Sequence, residues 1–334
     1  MQVLCILNPE AAGGAARERW RDIAALIERL GAGHDLLEVR SGVPLAGQVL
    51  ERLEGTDLGR YCAIAGIGGD GTHSAILNGL MTYRNRGPER TLPPYAFIPM
   101  GTGNDIAKSL GIRIRDEFSA RDLRRAVSAI VHGADYALDL GIINGLYFAD
   151  ALTVGLDSGI LRERNARKRR IENIPVLRHM ARGRMLYTFS FGARLFRHDC
   201  ARVGVTVDGQ SWYEGPMINL VVNNTRIYAG DFDFSANAYA DDGLLDVVLF
   251  ADQADYLARY LLAIRHNPDR LRELSDDLTQ RARHVQGRQI RIRVDRPQPA
   301  QADGADGEEL PDGAEFDVGV VRQALRIKIP AEPV

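Results

Sequence analysis

"AIAGIGGDGTHSAILNGL", residues 63–80, runs from small apolar residues through clustered glycines into a helical pattern. An apolar strand, a glycine turn and a helix start form a cradle for phosphate, because backbone N–H groups and the positive helix end converge there. One residue contradicts a plain cradle: Asp70 stands among the glycines, where a carboxylate repels an anion. Gly66, Gly68 and Gly71 also satisfy G-x-G-x-x-G, yet the next strand, "YAFIP", ends in Pro99, Met100 and Gly101. A dinucleotide fold needs an acid there for the ribose. The loop lacks G-K-[ST] as well, which excludes a Walker A. Taken alone, the glycines equally suit a tight turn with no ligand.

A second loop changes the balance. "MGTGNDIAKSLGI", residues 100–112, repeats the strand, glycine turn and helix start, with Asp105 just past the glycines. Two neighbouring parallel strands then present both loops at one carboxyl edge, where open α/β sheets bind ligands. Backbone N–H groups of Gly68, Gly69, Gly71 and Thr72 can donate to phosphate oxygens. Asp70 and Asp105 would meet the Mg²⁺ that accompanies the phosphates, directly or through water, which removes the repulsion. The competing reading is that both acids only cap helices.

The flanking sequence sets the architecture. "QVLCILN" is continuously apolar, as a strand buried on both faces requires, and "AARERWRDIAALIERLG" carries Trp20, Ile23, Ala24, Ile27 and Leu30 on one helical face up to Gly31. "YCAIAGI", "THSAILNGLMTY", "YAFIP" and "RDLRRAVSAIVHG" continue the alternation, so residues 1–139 are expected to form an α/β nucleotide-binding domain on a parallel sheet. Beyond it, "ARVGVTVDG", "RQIRIRVD" and "LRIKIP" alternate apolar with polar residues, the period of half-exposed antiparallel strands. Residues 140–320 are expected to be a β-sandwich with helical insertions near 160–197 and at "ADYLARYLLAIRHN"; residues 321–334 form a terminal strand that can return to the first domain.

The 334 residues suit two domains, and their 45% hydrophobic and 26% charged content is that of a soluble globular protein. A formal net charge of −2 argues against nucleic acid as a partner. Cys5, Cys62 and Cys200 are odd in number and widely spaced, as expected of reduced thiols in a cytoplasmic protein. Neither a signal peptide nor an apolar run of the roughly 18 residues needed to span a bilayer is apparent. No internal repeat is present, and "DRPQPAQADGADGEELPDG" is the one low-complexity stretch.

"NPEAAGG" (8–14), "GGDGTHSAILNGL" (68–80), "PMGTGNDIAKSLGI" (99–112) and "ADDGLLDVVLF" (240–250), in this order, resemble the diacylglycerol kinase catalytic family, which includes bacterial lipid kinases, sphingosine kinases and ceramide kinases. The resemblance implies an ATP-dependent, Mg²⁺-dependent kinase of a lipid hydroxyl, with the active site between an α/β domain and a β-sandwich. NAD kinases share GGDGT and the architecture, but GTGND followed by DDGLLD sets this chain apart from them. Carried over by position, Asn8, Pro9, Glu10, Ala11, Ala12, Ser41, Gly68, Gly69, Asp70, Gly71, Thr72, His73, Ser74 and Thr102 would contact ATP. Asp70, Asp105 and Asp139 resemble the acidic network around the catalytic Mg²⁺. A structural Mg²⁺ is implied at the carbonyls of Tyr239 and Leu244 and the side chain of Asp242; a plain β-turn is the competing reading. In "ADGEEL" (305–310), Glu308 matches the base that deprotonates the lipid hydroxyl, with Asp303, Asp306 and Glu309 as alternatives.

The departures from the family pattern are specific. Ala75 stands where a glutamate is usual, Ala12 where a glycine is, and Asn237 where a proline is common. Reduced turnover is expected from the missing glutamate. The basic stretch "LRERNARKRR" (161–170) reads either as a face that docks on an anionic inner membrane surface or as a solvated helix face. A homodimer is compatible with the chain. The functional readings carried forward are a lipid kinase, a soluble-substrate kinase of the NAD kinase type, and a catalytically quiet nucleotide-binding regulator.

Overall fold

Apolar segments of the first domain form the strands that the alternation predicts. The computed structural model describes residues 1–101, 103–112, 119–172, 200–228, 232–233, 238–264, 283–303 and 309–331. Strands β1 (Gln2–Leu7), β2 (Gly33–Glu38), β3 (Tyr61–Gly68) and β4 (Tyr95–Pro99) alternate with helices α1 (Ala15–Arg29), α2 (Leu45–Glu54) and α3 (Asp70–Arg84). The short α4 (Asp105–Ser109) and α5 (Ala120–His132) follow. β1 pairs in parallel with β2 and β3, and β3 with β4. Val3 through Leu7 are buried between helical layers, which is why that strand carries no alternation.

The second domain contains β5 (Ala134–Ile143), β6 (Leu146–Phe148), β7 (Ala151–Gly155), α6 (Leu156–Glu172), β8 (Ala201–Val207), β9 (Gln210–Met217), β10 (Asn219–Asn223), β11 (Ile227–Tyr228), β12 (Phe232–Asp233), β13 (Leu245–Phe250), α7 (Gln253–Ile264), β14 (Arg283–Gly287), β15 (Gln289–Ala302) and β16 (Glu309–Ile329). Ile290, Ile292 and Val294 of β15 alternate inward with exposed neighbours, as the period of "RQIRIRVD" predicts. They join Val203, Val205, Phe316 and Val318 in the sandwich core. A smaller core of Leu156, Ile160, Ile218, Phe250 and Tyr256 lies where α6 and α7 cover the other face.

One strand joins the two halves. β16 is antiparallel to β15 in its first part, then pairs with β5 and, through Ile327 and Lys328, runs parallel to β4. The expected parallel sheet therefore runs parallel from β2 through β4 to the end of β16 and is antiparallel beyond, inside one sheet ordered β14-β13-β10-β7-β15-β16-β4-β3-β1-β2. Helix α3 braces the junction: the Asn78 amide donates to the Tyr147 carbonyl at 2.8 Å and accepts its N–H at 2.9 Å. The expected insertion near 160–197 begins at Leu156, and its residues 173–199 lie outside the described part. No helix among the described residues is long and apolar enough to cross a membrane. None of the three cysteines is in a disulfide; burial pushes the Cys5 thiol up to about 12.

Candidate active site

Both glycine loops leave adjacent parallel strands, since Gly68 pairs with Pro99. They touch through their main chains: a Cβ on Gly69 would lie 3.1 Å from Gly101 Cα, and one on Gly101 only 2.6 Å from Gly69 Cα. Met100 N–H donates to the Gly68 carbonyl at 2.6 Å. Asn104, in the left-handed region at φ 54°, holds the second loop closed by exchanging bonds of 2.8 Å with the N–H and carbonyl of Gly101. Only residues without a side chain permit this approach.

Asp70 belongs to both loops. It is the first residue of α3, whose N-cap is Gly69 with no side-chain cap. Instead of capping its own helix, its Oδ2 accepts the Asn104 N–H of the second loop at 2.7 Å. Its Oδ1 is shielded from solvent and accepts no hydrogen bond. Burial, and then the charge of Asp105, push the Asp70 carboxyl up to about 8, against the N–H groups of Asn104 and Ile106. Asp70 therefore does not cap its own helix, but bonds the start of α4. Asp105 is itself the first residue of α4, whose N-cap Asn104 also lacks a side-chain cap.

The first loop joins this surface. Asn8 Nδ2 donates to Thr72 Oγ1 at 2.9 Å, and Ser41 Oγ to Glu10 Oε2 at 2.9 Å. Ala11–Gly14 form a tight turn in which Ala12 (φ 53°), Gly13 (φ 67°) and Gly14 (φ 101°) are left-handed. The stretch Asn8–Ala12, Ser41 and the loop from Gly68 are thus brought together. His73 is not part of that surface: it is 1% exposed, with Nδ1 2.6 Å from Tyr95 Oη and its ring against Phe97. Burial lowers its pKa to about 3. A helical residue three positions past the loop turns toward the core.

Two further acids come from the sandwich. Asp150 and Asp303 sit where β7, β10 and β15 end side by side, since Asn223 pairs with Ala151 and Ala302 with Leu152. Asp303 carboxylate oxygens accept the N–H groups of Ala149 (3.0 Å) and Asp150 (2.8 Å). This binds Asp303 into the main chain. Asp150 Oδ1 accepts the Thr225 hydroxyl. Burial, followed by the charges of Asp105, Asp303 and Asp70, pushes the Asp150 carboxyl well above the usual range. The acids that sense one another are therefore Asp70, Asp105, Asp150 and Asp303. Sequence reasoning missed Asp150, although an acid inside "YFADALTV" is a signal, because apolar runs bury what they contain.

Asp139 is held by main-chain N–H groups. Its Oδ2 accepts Gly243 N–H and its Oδ1 Gln323 N–H, both at 2.6 Å, while its own N–H donates to the Ala240 carbonyl at 2.7 Å. It anchors the "ADDGLLD" turn. There Asp242 Oδ1 accepts the Leu244 N–H at 2.9 Å, and the Tyr239 carbonyl lies 3.5 Å from Asp242 N. Tyr239, Asp242 and Leu244 are thus neighbours on one turn. Among the described residues no three His, Cys, Asp or Glu side chains are close enough to hold a metal unaided. Thr102, Asp306, Asn237 and Glu308 lie outside the described residues, as does the Glu309 side chain.

Residues 2–143 match the model of the diacylglycerol kinase catalytic domain, and residues 165–328 that of the YegS C-terminal NAD kinase beta sandwich-like domain. The chain belongs to the diacylglycerol kinase catalytic domain family. A diacylglycerol kinase of Bacillus subtilis (strain 168) is 24% identical over 268 residues, covering 80% of this chain and 78% of the relative. A diacylglycerol kinase of Mycobacterium tuberculosis (strain H37Rv) is 29% identical over 259 residues, 74% of this chain and 72% of the relative. The crystal structure of a diacylglycerol kinase from Bacillus anthracis superposes with a TM-score of 0.69 at 20% identity, covering 98% of this chain and 96% of that one. This likeness establishes the fold of a diacylglycerol kinase family member. The first family model ends with β5, and the second begins within α6.

Proposed function

We propose that the protein transfers the γ-phosphoryl group of ATP to the hydroxyl of diacylglycerol or a related lipid, with Mg²⁺ as the metal. The supporting observation is the locking of two glycine loops around Asp70, which leaves its Oδ1 buried and without a donor. N–H groups and a donorless carboxylate oxygen at one sheet edge suit an anion accompanied by a cation.

The oxygen-only donor set fits a hard cation. Asp70 and Asp105 would hold Mg²⁺, which when bound neutralises charge on the phosphates. The N–H groups of Gly68, Gly69, Gly71 and Thr72 orient the phosphate chain. Asn8 to Ala12, Ser41, Ser74 and Thr102 border the nucleotide. Glu308 takes the proton of the lipid hydroxyl as its oxygen attacks phosphorus and ADP leaves with the bonding electrons. The Tyr239–Leu244 turn, with Asp242, is the proposed place of a structural Mg²⁺. The arginines of 161–170 would supply charge for docking on the bilayer that holds the lipid, each adding roughly 1 kcal/mol near an anionic surface. Arg162 is excepted, since it turns inward to the Leu310 carbonyl at 3.0 Å.

The test is labelled ATP offered in parallel with diacylglycerol, a sphingoid base, phosphatidylglycerol and NAD. Label in a lipid is the expected result. Label on NAD without vesicle or detergent would instead support a soluble-substrate kinase, and ATP binding without transfer a regulator. Reversing Arg164, Arg167 and Arg169 should weaken liposome binding and leave ATP affinity unchanged; unchanged liposome binding refutes the docking face.

A further inference from the structure

Beside Asp150, at the end of β10, Asn224 donates its Nδ2 to the carbonyls of Asp139 (2.9 Å) and Ala149 (2.8 Å). Only the amide nitrogen can donate, so these bonds fix which way the side chain is turned. Its Oδ1 is then buried without a hydrogen bond, on a residue 1% exposed. The same segment grips Asp150: Asn224 N–H donates to the Asp150 carbonyl at 2.7 Å, and the Thr225 hydroxyl to Asp150 Oδ1. Asp150 is 3% exposed and Asp303 1% exposed. Among the described residues, neither they nor Asp70 form a salt bridge.

Two donorless oxygens, Asp70 Oδ1 and Asn224 Oδ1, thus belong to different domains, and Asp150, which Asn224 flanks, feels the charge of Asp70. Buried acceptors without donors and buried negative charge without a counter-charge are both relieved by a cation. We propose that Asp150 and Asn224 are outer donors to the divalent cation of the cleft, engaging its water molecules from the sandwich side, so that the cation ties the two domains together. Engagement through water follows because no three acids are close enough to ligate directly and Mg²⁺ keeps several waters. The inference rests on the cation-dependent reading of the cleft, and it extends the donor set beyond the two glycine loops.

Asp150→Asn keeps the shape of the side chain and an acceptor for Thr225 but removes the ionisable carboxyl. Two changes of opposite sense are expected. In EDTA the variant melts above the wild type, because a neutral amide is buried at lower cost than a carboxyl desolvated and crowded by Asp105, Asp303 and Asp70. Its affinity for Mn²⁺ alone, read from the electron paramagnetic resonance of the free ion with the full chain, falls roughly tenfold, as expected when an outer partner of a metal is lost. Asp150→Ser, smaller but still able to bond Thr225, serves as a second neutral variant with the same expected loss. A purely structural Asp150 predicts a lower melting point and unchanged Mn²⁺ affinity. The inference is overturned by Mn²⁺ affinity within twofold of wild type in both variants, or by a wild type that binds no Mn²⁺. Since the assay contains neither ATP nor lipid, intact Mn²⁺ effects with no phosphoryl transfer would refute the kinase reading alone.

Discussion

Gly101→Ala tests whether the contact between the loops governs the chemistry. The added Cβ would lie 2.6 Å from Gly69 Cα and 2.9 Å from Asn104 Oδ1. Carbon atoms pack at about 3.5 Å or more, so the loops must part by about 1 Å. Neither neighbour can rotate away, because one is main chain and the other is bound to both polar groups of Gly101. Overpacking of this kind destabilises by about 1–3 kcal/mol. A shift of about 1 Å in a group that orients reacting atoms lowers rate on the order of 100-fold. Urea unfolding and lipid phosphorylation under saturating ATP measure the two effects. Gly47→Ala is the control: it lies within α2 with nothing inside 4 Å of its Cβ position, and Ala there should stabilise by up to about 1 kcal/mol. Wild-type stability and turnover in Gly101→Ala would refute the claim that these two backbones must touch.

Three other outcomes are expected. Ala12→Gly should stabilise the protein by about 1 kcal/mol in urea unfolding, because Ala12 is left-handed at φ 53° and glycine adopts that conformation without a Cβ clash; a loss of stability would contradict it. Asp139→Asn leaves one oxygen for the two N–H groups of Gly243 and Gln323, so a loss of about 1–3 kcal/mol is expected by the same method. His73 has a folded pKa near 3 against 6.5 for the free side chain. The unfolded chain then binds the extra proton first, so this contribution is complete above pH 6.5 and declines as acid is added, by about 2 kcal/mol at pH 5. His73→Gln, which cannot titrate, should close its stability deficit by that amount between pH 7.5 and pH 5; an unchanged deficit would show that His73 is not buried neutral.

The five-residue apolar spine of β1, the glycine loops and the alternation of β15 were legible because each is a local pattern. Continuous burial demands continuous apolarity, close backbone approach demands glycine, and a half-exposed strand demands a period of two. The pairing of GGDGT with GTGND was legible for a similar reason, since consecutive parallel strands end at one edge. Tertiary structure decided the rest. Asp139 and Asp150 are both acids near the domain boundary, and composition cannot separate them; the strand order does, carrying one to the turn at Gly243 and the other to Thr225. His73 shares its loop with Thr72 but faces the opposite way, because helical rotation rather than sequence proximity sets direction. Which buried oxygens lack a donor depends on contacts between residues as distant as Asp70 and Asn104, or Ala149 and Asn224. Such contacts exist only once β3 has paired with β4 in the first domain and β7 with β10 in the second.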